Sequence, residues 1–128
     1  MKVLLDTNAF LWWLGNQSRL TVQACEVIQD PDNEVFVSVA SAWEIIIKAR
    51  SGKLTLPESP ELYIPSRISH YDFQLLPINI QHVLQLWMLA DHHRDPFDRI
   101  MIAQSQVEQL SIITSDQIIP QYPVQVIW

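Results

Sequence analysis

The stretch Met1-Lys2-Val3-Leu4-Leu5-Asp6-Thr7-Asn8 governs how the rest of the chain is read. A short apolar run ends in one carboxylate and gives way at once to residues that open a helix. In open α/β sheets the ligand crevice lies outside the carboxyl ends of the strands, so an acid there is offered to a ligand. The arrangement returns near the far end, in Ile112-Ile113-Thr114-Ser115-Asp116. Two acids at two strand ends of one sheet edge form a pattern about chemistry, not solubility.

Between them, strand and helix signals alternate. Lys2 to Asp6 is expected as a strand and Thr7 to Leu14 as a short helix stopped by Gly15. Leu20 to Gln29 reads as a second helix, and Glu34 to Val39, β-branched and aromatic, as a second strand. Ser41 with Glu44 three residues on has capping-box spacing, predicting a helix from there to Ser51-Gly52. The proline-rich Pro57–Ser66 stretch predicts a broken helix reaching about His70, and Phe73 to Ile78 an edge strand, since Pro77 cannot donate to a ladder. Ile80 to Ala90 is amphipathic. Pro96 opens a helix to about Glu108. Ser111–Ser115 and Val124–Ile127 complete the strands. The fold class is therefore α/β: about five parallel strands in a central sheet with helices on both faces.

At 128 residues, 48% hydrophobic and 17% charged, the chain is expected to form one domain over 1–128. No apolar stretch is long enough for a membrane span, and no secretory leader is apparent. One cysteine, Cys25, cannot form an internal disulfide, so a cytoplasmic setting is expected. The net charge of −6 argues against a general basic nucleic-acid surface. The few cations are grouped, however: Lys48, Arg50 and Lys53 in one segment, and Arg94 and Arg99 beside His92 and His93 in another. Both groups flank acids.

Each of those acids has an ordinary structural reading. Asp6 is a good helix N-cap. Glu44 can pair with Ser41 and with Lys48 at i,i+4. Asp95 and Asp98, around Pro96-Phe97, suit the start of a helix dipole, and Asp116 suits a turn. Taken together they point elsewhere, because strand ends and helix starts on one edge bring Asp6, Glu44, Asp98 and Asp116 to one place. Two unit charges about 5 Å apart repel by roughly 3 kcal/mol at an effective dielectric of about 20. Four acids therefore call for a cation. An all-carboxylate set selects hard ions such as Mg²⁺ or Mn²⁺, which activate water and stabilise charge at a phosphoryl centre.

These residues resemble the PIN domain of the VapC type, the ribonuclease toxin of a toxin–antitoxin pair. The matching segments are Leu4-Leu5-Asp6-Thr7-Asn8, Ser41-Ala42-Trp43-Glu44-Ile45 with Lys48 and Gly52-Lys53-Leu54, His93-Arg94-Asp95-Pro96-Phe97-Asp98-Arg99 with Ile102-Ala103-Gln104, and Thr114-Ser115-Asp116. The resemblance implies metal-dependent cleavage of RNA phosphodiesters, a homodimer, and neutralisation by a small antitoxin. Asp6, Glu44, Asp98 and Asp116 match the family's acids. Asp95 belongs to the same local motif as an alternative ligand, and Thr7, Asn8 and Ser115 match the polar residues beside the acids. Lys48, His93, Arg94 and Arg99 are candidates to orient phosphates, though surface ion pairs would account for Lys48 and Arg99 equally well.

A PIN-type RNA-processing nuclease outside a toxin system fits the same residues. A receiver-like module fits less well, since Asp6 stands alone and no lysine follows Lys53. A non-catalytic binding module is disfavoured by the intact acid set. The five tryptophans read as core or interface. Phe10, Trp12, Trp13 and Ile64 look like more apolar surface than one small core absorbs, and predict a partner contact. His70 and His82 carry no assignment, and Cys25 reads as a small buried hydrophobe.

Overall fold

The computed structural model describes residues 1–128. Five strands, β1 (Lys2–Leu5), β2 (Glu34–Ser38), β3 (Gln74–Leu76), β4 (Ser111–Ile113) and β5 (Val126–Ile127), form one sheet in the order β3-β2-β1-β4-β5. Every pairing is parallel, with Leu5 opposite Val37 on one side and Ile113 on the other. The first strand is thus the middle one, and the chain leaves it in opposite directions toward β2 and β4. That divergence makes a switch point at the carboxyl ends of β1 and β4, where such folds bind ligands.

Six helices cover the sheet: α1 (Thr7–Gly15), α2 (Val22–Gln29), α3 (Val39–Arg50), α4 (Pro60–His70), α5 (Ile80–Gln85) and α6 (Pro96–Glu108). Alternation along β1 divides the core. Val3 and Leu5 pack with Ala9, Phe10 and Trp13 of α1, Ala24 and Ile28 of α2, and Ile64 of α4. Leu4 faces the other way, onto Ala40 of α3 and Ile100 and Met101 of α6. Both faces of the sheet are covered, as all-parallel strands require. No helix is long and apolar enough to cross a membrane.

Several local expectations need correcting. The cap of α3 is Ser38, whose Oγ accepts from the Ala40 N–H, and not Ser41, which lies buried inside the helix. The strand runs straight into the helix without a loop, so β-branched Val39 is the first helical residue instead of the last of β2. α1 includes Gly15 and ends on Asn16, whereas Gly52, at φ +76°, supplies the left-handed turn after α3. The proline-rich segment is not broken. α4 starts at Pro60, where a missing N–H costs nothing, and continues through Pro65 because Tyr63 and Ile64 anchor it in the core. β3 is the edge strand but stops at Leu76, and the helix expected over 80–90 tightens after Gln85 into a 3₁₀ turn at Leu86–Met88.

The partner-contact expectation fails for three of the four residues that prompted it, Trp12 being half-buried. Phe10, Trp13 and Ile64 are buried, and Trp12 packs on Trp128. A run of exposed apolar side chains lies instead on α5 and the turn after it: Ile80, Val83, Leu84, Met88 and Trp87, the last 90% exposed. Trp43 is also exposed, so it is not a core residue, and packs edge-on to Phe97. Cys25 is half-buried.

Candidate active site

The acids meet at the switch point. Asp6 immediately follows β1 and caps α1, its Oδ1 accepting from the Ala9 N–H at 2.7 Å. Its Oδ2 accepts from the hydroxyl of Thr114, just beyond β4. Capping and convergence are therefore both true of this one side chain. Asp116 lies two residues past Thr114, whose Oγ1 accepts the Asp116 N–H at 3.0 Å. Glu44 comes from the second turn of α3, 7% exposed, with its Oε2 2.6 Å from Lys48 Nζ. The ion-pair half of its ordinary reading holds, and the capping half does not. Asp98 sits in the first turn of α6, which Asp95 caps by accepting from the N–H groups of Phe97 and Asp98.

A cavity of about 190 Å³ is lined by Asp6, Thr7, Asn8, Glu44, Lys48, Asp95, Asp98, Ser115 and Asp116, none of them apolar. Its electrostatics are unbalanced. Burial, opposed by the Thr114 and Ala9 hydrogen bonds and reinforced by Asp116 and Glu44, raises the Asp6 carboxyl to about 6. Burial, with Asp95 next to it, raises Asp98 to about 7. For Asp116 burial acts upward too, but hydrogen bonds from His93 and from the N–H groups of Ile118 and Ile119 outweigh it, so its carboxyl sits below the usual range. Lys48 is raised by its hydrogen bond to Glu44. Oxygen donors lining one polar cavity with too little positive charge among them suit a hard divalent cation, and Asp6, Glu44, Asp98 and Asp116 are the residues that could hold one.

The other candidates divide. Asn8 and Ser115 are exposed at the rim. The Thr7 hydroxyl is engaged, donating to Ser41 Oγ at 2.9 Å, and Ser41 in turn reaches Met101 Sδ. Arg99 points away from the acids, donating to the carbonyls of Ala90 and His93 and to the Tyr122 hydroxyl. Arg94 is exposed in a separate depression with Asp91, His93 and Arg99. His93 is buried against the acids, its Nε2 2.9 Å from Asp116 Oδ2. Sequence reading missed Thr114 and Tyr122, which hold Asp6 and the 90–93 segment. The only signal for Thr114 was a hydroxyl next to a strand-end acid.

The sequence matches the PIN domain family over residues 3–124, and the chain belongs to that family. Ribonuclease VapC16 of Mycobacterium tuberculosis is 39% identical over 56 residues. That match covers 44% of this chain and 38% of the relative, well under half of the relative's length. Among solved structures, VapBC2 from Rickettsia felis, bound to a DNA fragment from their promoter, superposes with a TM-score of 0.73 at 12% identity, covering 99% of this chain and 98% of that one. A toxin–antitoxin complex from Klebsiella pneumoniae gives 0.66 at 16% identity over 98% and 96%. FitAcB from Neisseria gonorrhoeae gives 0.67 at 16% over 100% and 97%. At these identities the likeness is one of fold.

Proposed function

We propose that this chain, acting as one domain over residues 1–128, is a Mg²⁺- or Mn²⁺-dependent endoribonuclease and the toxin of a toxin–antitoxin pair. The observation that carries this reading is the convergence of Asp6, Glu44, Asp98 and Asp116 on one polar cavity at the β1/β4 switch point. Those four residues would hold the cation. When bound, it lowers the pKa of a water and stabilises charge at phosphorus. Asp6 is held by Ala9 and Thr114, and Asp116 by His93, Ile118 and Ile119, so their carboxylates are oriented before anything binds. Lys48 offsets Glu44 at the rim, and Arg94 is the free cation to meet a backbone phosphate. Asp95 serves α6 as a cap and the site as a neighbouring charge.

The toxin–antitoxin complex among the similar structures supports a small antitoxin as partner, the resemblance to the VapC type carries the homodimer, and the apolar surface around Trp87 supports a covering protein. The proposed setting is the cytoplasm. Incubation of the purified protein with mixed RNAs should give cleavage with Mg²⁺ or Mn²⁺, none with chelator, and at least a hundredfold less for Asp98→Asn. Metal-independent cleavage, or none by wild type with either ion, would falsify the reading.

A further inference from the structure

His93 is the one nitrogen base among the acids. Its Nε2 lies 2.9 Å from Asp116 Oδ2 and 3.2 Å from Asp98 Oδ2. One ligand-capable atom from each of the three residues falls within 4.8 Å of the others. By distance alone this is a ligand triad, and an imidazole in it would favour zinc, copper or nickel over a hard ion.

The other side of the ring argues against that. The backbone N–H of Asp95 points at His93 Nδ1 from 3.1 Å. An amide N–H can only donate, so Nδ1 carries a lone pair and the proton of the neutral ring sits on Nε2. A protonated Nε2 has no lone pair left for a cation. Exchanging the tautomer would set an Nδ1–H against the Asp95 N–H. The ring has little room to swing away, since His93 is buried, and its backbone is tied on both sides. The His93 N–H donates to the Tyr122 hydroxyl at 2.8 Å, and Arg99 Nη1 donates to the His93 carbonyl at 3.1 Å. Tyr122 and Arg99 both also bind the Ala90 carbonyl.

We propose that His93 is a positioning residue and not a metal ligand: locked as the Nε2–H tautomer by the Asp95 amide, it donates to and orients Asp116 and leaves an all-oxygen set for a hard divalent cation. Arg99 and Tyr122 then act through His93, by fixing the segment that carries it. This inference rests on the metal reading of the acid cavity. Hydrogen bonds that hold metal-binding carboxylates commonly matter by about 10–100-fold in affinity.

Long-range proton–nitrogen NMR of the wild-type protein, with its histidines nitrogen-15 labelled, reads the tautomer directly. The His93 ring should stay protonated on Nε2 both without metal and at saturating Mg²⁺. Loss of the Nε2 proton with gain of one on Nδ1 as Mg²⁺ binds overturns the proposal. Calorimetric titration of His93→Ala supplies a second reading. Mn²⁺ and Zn²⁺ affinities should fall by a similar factor, about 10–100-fold. A Zn²⁺ loss at least tenfold larger than the Mn²⁺ loss is the mark of a missing imidazole ligand and also overturns it. Wild-type protein that binds neither Mg²⁺ nor Mn²⁺ defeats the metal reading itself, and this inference with it. The wild-type experiment does not depend on any variant folding.

Discussion

Asp6 and Asp116 line the same cavity, yet the protein treats them oppositely. Asp6 is 6% exposed and its carboxyl is raised to about 6, so its charge is a burden to the metal-free fold. Asp116 is more open and accepts from His93, Ile118 and Ile119, so its charge is favoured. Removing charge should therefore separate them. Without metal, Asp6→Asn should melt at or above wild type, whereas Asp116→Asn should lose about 1–3 kcal/mol through weakened charge-assisted bonds. Both should lose most cleavage and most of the melting shift that Mn²⁺ gives wild type. Thermal scans with and without Mn²⁺, paired with cleavage on the same samples, decide this, and equal metal-free melting of the two variants counts against it. The same shifts set a pH dependence. Asp6 and Asp98 hold protons in the folded chain to higher pH than when unfolded, so folding takes up protons and stability falls as pH rises from about 4 through about 7. Asp116, shifted down, adds stability that is lost only as pH falls below about 4. Metal-free protein should be most stable near pH 4 and melt several degrees lower at pH 8, a loss that Mn²⁺ removes. A melting temperature still rising from pH 6 to 8 without metal would contradict the raised carboxyls.

At the scale of single elements, α3 shows where a motif misleads. Ser41 and Glu44 have capping-box spacing, but the cap is Ser38. Its Oγ accepts the Ala40 N–H and donates to Gln104 Oε1 of α6 at 2.6 Å, so one hydroxyl starts a helix and ties two together. Ser38→Ala should cost about 2–3 kcal/mol, the cap plus a buried acceptor left unpaired, against about 1 kcal/mol for Ser41→Ala. Urea unfolding of both variants measures the difference, and a larger loss at Ser41 would return the cap to the motif. The parallel sheet and its helices were legible because apolar runs, Gly52, Pro96 and strand-end acids speak locally. The meeting of the acids was legible because Asp6, Asp98 and Asp116 stand at strand ends or a helix start and Glu44 lies on the helix that leaves β2 directly, one turn further in than Ser41 suggested. Bonds between distant residues were not legible. Nothing near His82 announces that its Nδ1 accepts the Asn79 N–H in the α5 cap while its Nε2 meets Glu108 of α6 at 2.9 Å. Arg99 next to Asp98 looked like a phosphate ligand, and only its carbonyl and Tyr122 partners give its direction.

Over the whole molecule, charge and apolar surface are distributed against first impressions. The aromatic first helix is absorbed by the core, while α5 and its following turn remain uncovered. With a net charge of −6, attraction for an anionic polymer must be local. Arg94 is exposed and follows His93, whose ring meets Asp116, whereas Arg19 and Arg67 lie over the rings of Trp12 and Tyr63. Arg94→Ala should weaken RNA binding and lower the slope of log affinity against log salt by about one contact's worth, while Arg19→Ala and Arg67→Ala leave the slope unchanged. Binding titrations at several salt concentrations test this, and three equal slopes would leave no local contact to defend.

The central strand is made first, and its neighbour β4 comes almost last. Asp6 meets Thr114 across 108 positions of chain, and the cavity closes only when Asp116 follows. During translation, at about 5–20 residues per second, β1 waits with one edge bare and Asp6 without its hydroxyl partner. No nascent chain that stops short of Asp116 contains the assembled cavity. In the proposed reading, cutting power is withheld until Asp116 has left the ribosome, so a neutralising partner has that whole interval in which to be made.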